Sequence, residues 1–178
     1  TESYRSWSEL GVVRRSDILR KVVGLLGDQR ERVALEISEE TGRPHTQVLG
    51  EVDAAIACGT FFVEESKKIT AMSIPSKVQG RTIELRQESI GPGLLITPFN
   101  NPLAGIAWKA FPALLCGNTL VIKAHELTPC TPNLFAKILF DAGVPEKVIS
   151  VIQGDRSVGE TLVQDSRFTF ISFTGSNK

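Results

Sequence analysis

The run Pro98-Phe99-Asn100-Asn101-Pro102 sets two side-chain amides between two prolines, where the chain must turn. An asparagine amide is a neutral donor that can meet an oxygen gaining negative charge during a reaction. The same side chain bonds its own backbone in ordinary turns, and spacing alone leaves both roles open for Asn100. Further on, Lys123 ends the apolar run Thr119-Leu120-Val121-Ile122, and Glu126 follows three residues later. An ammonium and a carboxylate so placed can meet a ribose diol. They can equally form a solvated ion pair worth about 0 to 1 kcal/mol. Thr174-Gly175-Ser176 follows Phe170-Ile171-Ser172-Phe173. Small polar residues after a strand can open a helix whose free N–H groups face a phosphate, or serve only as its cap.

These residues need elements to hold them. Gly93-Leu94-Leu95-Ile96 is short and apolar enough for a buried strand. It stops at Thr97-Pro98, and Pro102 suits the first turn of a helix. Asn100 then lies at the carboxyl end of a strand, where ligands bind in open α/β sheets. From there the pattern predicts strands over 94–97, 119–123, 148–153 and 168–173, and helices over 103–115, 131–142 and 156–164. Such alternation implies right-handed crossovers and a mainly parallel, Rossmann-like sheet, so the fold class is α/β. No G-x-G-x-x-G follows the first strand, so the plain dinucleotide fingerprint is absent.

Upstream, three amphipathic helices are expected. Ser16-Asp17 reads as an N-cap before the stripe Ile18, Leu19, Val22, Val23 and Leu26, and Gly27-Asp28 as its break. A second helix covers 30–41, with Gly42 as its C′ residue. A third opens at Pro44 and buries Val48, Val52, Ile56 and Val63, with Ala54, Ala55 and Gly59 permitting close approach. Residues 74–90 alternate in strand fashion about Gln79-Gly80, a hairpin arm. The division is 1–73 for a helical part, 74–90 for the arm and 91–178 for the Rossmann-like core.

Twenty basic residues against twenty acidic ones give no electrostatic case for nucleic acid or an anionic membrane. The longest contiguous apolar runs are far too short to span a bilayer. Thr1-Glu2-Ser3-Tyr4 does not read as a secretory signal. Cys58, Cys116 and Cys130 are odd in number and far apart, which suggests neither a disulfide framework nor a zinc site. A reducing, cytoplasmic setting is the expectation. Cys116, ending an apolar helix, reads as a small buried hydrophobe. No partner is evident for His45 or His125.

ITPFNNPL, PALLCGNTLVIKAHELTP and SFTGSNK occur in that order and at that spacing. Together they resemble the cofactor-domain motifs of the NAD(P)-dependent aldehyde dehydrogenase superfamily. Glu39-Glu40-Thr41-Gly42-Arg43-Pro44 is similar to that family's early E-T-G-K-P. The resemblance implies that Asn100 is an oxyanion donor to a cysteine thiohemiacetal. It implies that Ile96, Thr97, Pro98 and Phe99 border the cofactor, and that Lys123 and Glu126 contact its adenosine ribose. Gly154 and Gly159 would lie close to adenine, and Phe173, Gly175 and Ser176 near the pyrophosphate. Asn101 departs from the aromatic residue usual in the family, and Ala124-His125 from its proline and small residue. NAD is the expected cofactor, with NADP possible, and an aldehyde the substrate. The hairpin would serve subunit contacts in a homodimer or homotetramer. The family's catalytic cysteine and activating glutamate lie beyond its F-T-G-S stretch, past residue 178 here, so the chain alone is expected to be inactive. A coenzyme A-acylating member of the superfamily, or a non-catalytic NAD-binding or scaffold module, are the other readings.

Overall fold

In the computed structural model, residues 2–69 and 72–176 are described. The chain opens with four helices: α1 (Glu2–Glu9), α2 (Val12–Asp28), α3 (Arg30–Thr41) and α4 (His45–Glu65). A hairpin of β1 (Met72–Pro75) and β2 (Thr82–Leu85) follows. Then come β3 (Gly93–Ile96), α5 (Pro102–Leu115), β4 (Leu120–Lys123), α6 (Cys130–Asp141), β5 (Ile149–Ile152), α7 (Arg156–Val163) and β6 (Phe170–Phe173). The last four strands form one parallel sheet in the order β5-β4-β3-β6. The fold is therefore α/β with a Rossmann-like parallel sheet, as expected. The chain moves outward from β3 to β5, then crosses back through α7 to place β6 on the other flank of β3. That reversal opens a crevice at the carboxyl ends of β3, β4 and β6.

One core joins the helical layer to the sheet helices: Leu19, Val22, Val33, Val48 and Val52 pack with Leu103, Phe111, Phe135 and Leu139, all fully buried. Gly59 lets α4 approach α5, because a Cβ there would meet the Phe111 ring at 2.6 Å and Val23 at 2.7 Å. With the turn that follows it, α4 (His45–Lys68) is long and apolar enough by length and composition to cross a bilayer. Reading contiguous apolar runs alone missed this. Here its buried residues, Val48, Glu51, Val52, Ala55, Gly59 and Val63, lie against neighbouring helices.

The ends of α5 and α6 are held from the helical layer. Neither helix has a side-chain cap of its own. The Glu51 carboxylate on α4 accepts from Leu103 N–H (2.8 Å) and Ala104 N–H (3.1 Å). The Glu40 carboxylate on α3 accepts from Cys130 N–H, Thr131 N–H (3.0 Å) and the Thr131 hydroxyl. At the far end of α5, Trp7 Nε1–H donates to Leu114 O (3.1 Å) and Arg15 Nε–H to Leu115 O (2.9 Å). Orphan N–H and C=O groups at helix ends are thus satisfied across the interface. Glu40→Ala is expected to lower stability by about 0.5–2 kcal/mol, the usual loss for a helix N-cap. It should show as a lower denaturation midpoint at unchanged m-value.

Several expectations need correction. Ser16-Asp17 is no N-cap: α2 begins at Val12 after Gly11 (φ 79°), and Ser16 is buried with its hydroxyl donating to Val63 O. Gly27-Asp28 does end that helix, as expected: Asp28 is its last residue, and Gln29 separates it from α3. Gly42 holds the expected left-handed conformation (φ 70°). Val78 lies in the hairpin turn, where Arg81 N–H donates to its carbonyl, and the arm begins at Met72, inside the stretch assigned to the helical part. Met72, Ile74, Ile83 and Leu85 are exposed on that arm.

Candidate functional site: a cleft at the carboxyl ends of β3, β4 and β6

An open cleft of about 880 Å³ lies at the sheet reversal. That volume is in the range of small-molecule and cofactor sites. Its floor is Ile96-Thr97-Pro98-Phe99-Asn100 after β3. One wall is Lys123, His125 and Glu126 after β4; another is Phe173, Thr174, Gly175 and Ser176 after β6. Helix α7 closes the side with Arg156, Gly159 and Glu160. The structure brings together every residue singled out for cofactor or catalytic contact except Gly154.

Gly154 is at the expected sheet edge but outside the cleft. Its φ of 143° is accessible chiefly to glycine, and a Cβ would meet Val158 at 2.5 Å. It turns β5 into α7. Gly159 does face the cleft, and nothing lies within 4 Å of where its Cβ would stand. Gly175 is covered by the Phe173 ring, 2.5 Å from a Cβ at that position, so this glycine lets the aromatic ring fold over the cleft wall. Thr174–Ser176 is irregular, with Thr174 N–H donating to Ile96 O (3.0 Å). The helical turn expected after Ser176 falls outside the described residues.

Lys123 is 7% exposed and ends the central strand β4. Its charge helps hold the Asp155 carboxyl below its ordinary range, after the Ser157 hydroxyl and the Val158 and Ser157 N–H groups that this carboxylate accepts. The segment linking Lys123 to Glu126 is a turn rather than a helix, and no ion pair joins the two among the described residues. Both remain available to a ligand. His125 Nδ1 accepts from Leu127 N–H (3.2 Å), and its ring lies 4.9 Å from that of Phe99. His45 faces Glu31 at 3.7 Å. Both histidines therefore have neighbours that the sequence did not disclose.

A second depression of about 810 Å³ lies on the other side of the Asn100 turn, bordered by Asn101, Trp108, Lys109 and Ser172. Asn100 borders both spaces. Asn101 occupies the N-cap position of α5 without a side-chain cap bond, because Glu51 takes that role. Lys109 Nζ donates to Ser172 Oγ (2.8 Å), and burial pushes its ammonium pKa down. Cys116 is exposed and borders this depression, contrary to the expected buried hydrophobe. Burial of its thiol nevertheless pushes its pKa up against the opposing Arg15 guanidinium. Cys58 is pushed up to about 11 by burial. Neither thiol is poised as a thiolate nucleophile.

Two residues that local sequence reasoning did not assign to the site are Arg43 and Glu51. Arg43 Nη1 donates to Asn100 O (2.8 Å) and to the Glu51 carboxylate. Arg43 stood in the quoted E-T-G-R-P motif, but nothing local ties it to a turn 57 residues away.

A parallel sheet with a crevice at its reversal is the arrangement at which open α/β proteins bind ligands. Over residues 1–178 the chain matches the profile of the aldehyde dehydrogenase family, and it belongs to that family. It is 36% identical over 98% of its length to a mitochondrial succinate-semialdehyde dehydrogenase of Oryza sativa subsp. japonica, covering 33% of that protein. Among solved structures, it superposes at TM-score 0.91 and 31% identity on an E. coli NADP-dependent enzyme, over 97% of this chain and 36% of that one. A Sinorhizobium meliloti NAD-dependent aldehyde dehydrogenase matches at TM-score 0.90 and 27% identity, over 96% and 34%. The chain spans about a third of the length of these relatives.

Proposed function

We propose that this chain is the cofactor-binding and oxyanion-stabilising portion of an enzyme that oxidises an aldehyde to a carboxylic acid with NAD(P)+. The observation that carries the reading is the position of Asn100 between two spaces, one fit for a dinucleotide and one left for substrate. Three features fit the dinucleotide: the volume of the cleft, Lys123 and Glu126 lining it after β4 without an ion pair between them among the described residues, and the open face of Gly159. Glu126 accepts hydrogen bonds from the adenosine ribose diol, and Lys123 donates to the same sugar. Gly175 and Ser176 border the pyrophosphate. When bound, the nicotinamide supplies the acceptor for a hydride.

The chemistry needs a thiolate, which the full-length enzyme would contribute from outside residues 1–178. The sulfur adds to the aldehyde carbon, a C–S bond forms, and the C=O π pair moves onto oxygen. The Asn100 amide donates to that oxyanion. The pair then returns to re-form C=O as the C–H electrons leave, giving a thioester. Water adds to the thioester carbon and gives up a proton to solvent, the C–S bond breaks with its electron pair leaving on sulfur, and acid and thiolate are released. Both additions, of sulfur to the aldehyde and of water to the thioester, place negative charge on that oxygen, where a fixed N–H donor acts most strongly.

Purified residues 1–178 are expected to show no aldehyde-dependent formation of reduced nicotinamide, because covalent catalysis requires the thiolate. Steady accumulation of reduced cofactor with the isolated chain would contradict this. In cells, the proposal is a cytoplasmic enzyme acting as a homodimer or homotetramer, with the exposed β1–β2 arm at a subunit contact.

A further inference from the structure

We infer that Arg43 and Glu51 form a clamp that positions Asn100. The inference rests on Asn100 being the oxyanion donor. The turn that carries Asn100 runs from Pro98 to Pro102, and both prolines have a fixed φ. Its remaining freedom lies in the peptide planes between them and in the start of α5. The clamp acts on both. Arg43 Nη1 donates to the Asn100 carbonyl at 2.8 Å, which fixes that peptide plane. The same guanidinium nitrogen donates to the Glu51 carboxylate. The other Glu51 oxygen accepts the Leu103 and Ala104 N–H groups, fixing the first turn of α5. Glu51 is 5% exposed and its side chain 1%, so the ion pair and the two N–H bonds hold it away from solvent. Pro98 closes the arrangement, since a Cβ on Gly105 would already stand 3.2 Å from Pro98 Cδ.

The arrangement does more than stabilise a helix. A cap alone needs Glu51 and α5, as Glu40 caps α6 with no arginine bonded to a backbone carbonyl of the cleft. Here a cation from the end of α3 reaches the backbone carbonyl of the residue whose amide faces the reacting oxygen. Small errors in placing such a donor lose rate steeply, as much as about 100-fold for a displacement of about 1 Å. Arg43 and Glu51 are therefore positioning residues: they touch neither substrate nor cofactor and act through Asn100.

The test is a double-mutant cycle in the full-length enzyme, read as kcat and as KM for NAD. Arg43→Ala is expected to lower kcat about 10- to 100-fold with little change in cofactor KM. Arg43→Lys, which retains a cation and donors, should recover most of the loss. In the Asn100→Ala background, Arg43→Ala should have almost no further effect on kcat, because the group it positions is gone. Should Arg43→Ala fail to fold, Arg43→Met keeps the apolar stem and supports the same comparison. Glu51→Gln keeps an acceptor for the α5 N–H groups but loses the charge pair, and should fall between wild type and Arg43→Ala. Losses of kcat that multiply in the double mutant, or a matching rise in cofactor KM, would overturn the clamp while leaving Asn100 in place. A normal kcat for Asn100→Ala alone would overturn both.

Discussion

Asn100→Ala in the full-length enzyme is expected to lower kcat by about 100- to 1,000-fold, the loss found when one oxyanion donor is removed. The amide follows β3, at the end of the strand nearest the crevice, and Asn100 borders both the cleft and the neighbouring depression. It belongs to a turn whose backbone is held by Arg43 and by the Glu51-capped start of α5. A donor fixed before the reaction has no reorganisation to make as charge develops, so its removal falls on kcat. The KM for NAD should change little, because Lys123 and Glu126 sit on a different wall. Asn101→Ala should be much milder, since that side chain makes no cap bond and faces only the second space. Equal effects of the two substitutions, or normal turnover in Asn100→Ala, would contradict the assignment.

The second large effect concerns cofactor choice. The wild type is expected to favour NAD over NADP about 5- to 150-fold in kcat/KM, with Glu126 setting the ratio. A ribose diol can donate two hydrogen bonds to this carboxylate. A 2′-phosphate replaces one donor with about −1.5 to −2 charges. Two unit charges at about 4 Å and an effective dielectric of about 20 repel by about 4 kcal/mol. Screening in the open cleft and rotation of the side chain reduce this to about 1–3 kcal/mol, which gives the stated ratio at about 1.4 kcal/mol per decade. Lys123 opposes the preference, since its ammonium attracts the phosphate. Glu126→Gln removes the charge and keeps the size, so it should narrow the ratio mainly by improving NADP. A ratio unmoved by Glu126→Gln would show that the carboxylate does not face the ribose.

Much of this was readable in order along the chain. Leu94-Leu95-Ile96 and Leu120-Val121-Ile122 are apolar because the strands they form lie at the centre of the sheet, and a chain leaving such strands must place Asn100 and Lys123 at the sheet edge. Helix α3 was legible over its whole length because Gly42 ends it with a left-handed residue. What was not legible depends on contacts far apart in sequence. Glu51 reads locally as one polar position on a helix, and only the packed structure brings it to the N–H groups of α5, 52 residues on. Ser16 has the chemistry of an N-cap, yet its hydroxyl turns inward to Val63 O and the helix starts earlier, at Val12. Helix α1 has too little apolar pattern to announce itself, since Trp7 is its one buried residue. Gly154 stands at the expected sheet edge, and only the folded chain shows the tight turn against Val158 that its positive φ serves.

The central claim is that the crevice between β3, β4 and β6 holds the dinucleotide with its nicotinamide end toward Asn100. A crystal structure of the full-length enzyme with NAD bound tests it most directly. The account predicts ribose hydroxyls within hydrogen-bonding distance of Glu126 and Lys123, the pyrophosphate beside Gly175 and Ser176, and the nicotinamide beside the 96–100 segment. A dinucleotide bound elsewhere, or one in this crevice with its ribose turned away from Glu126 and its nicotinamide away from Asn100, would contradict it.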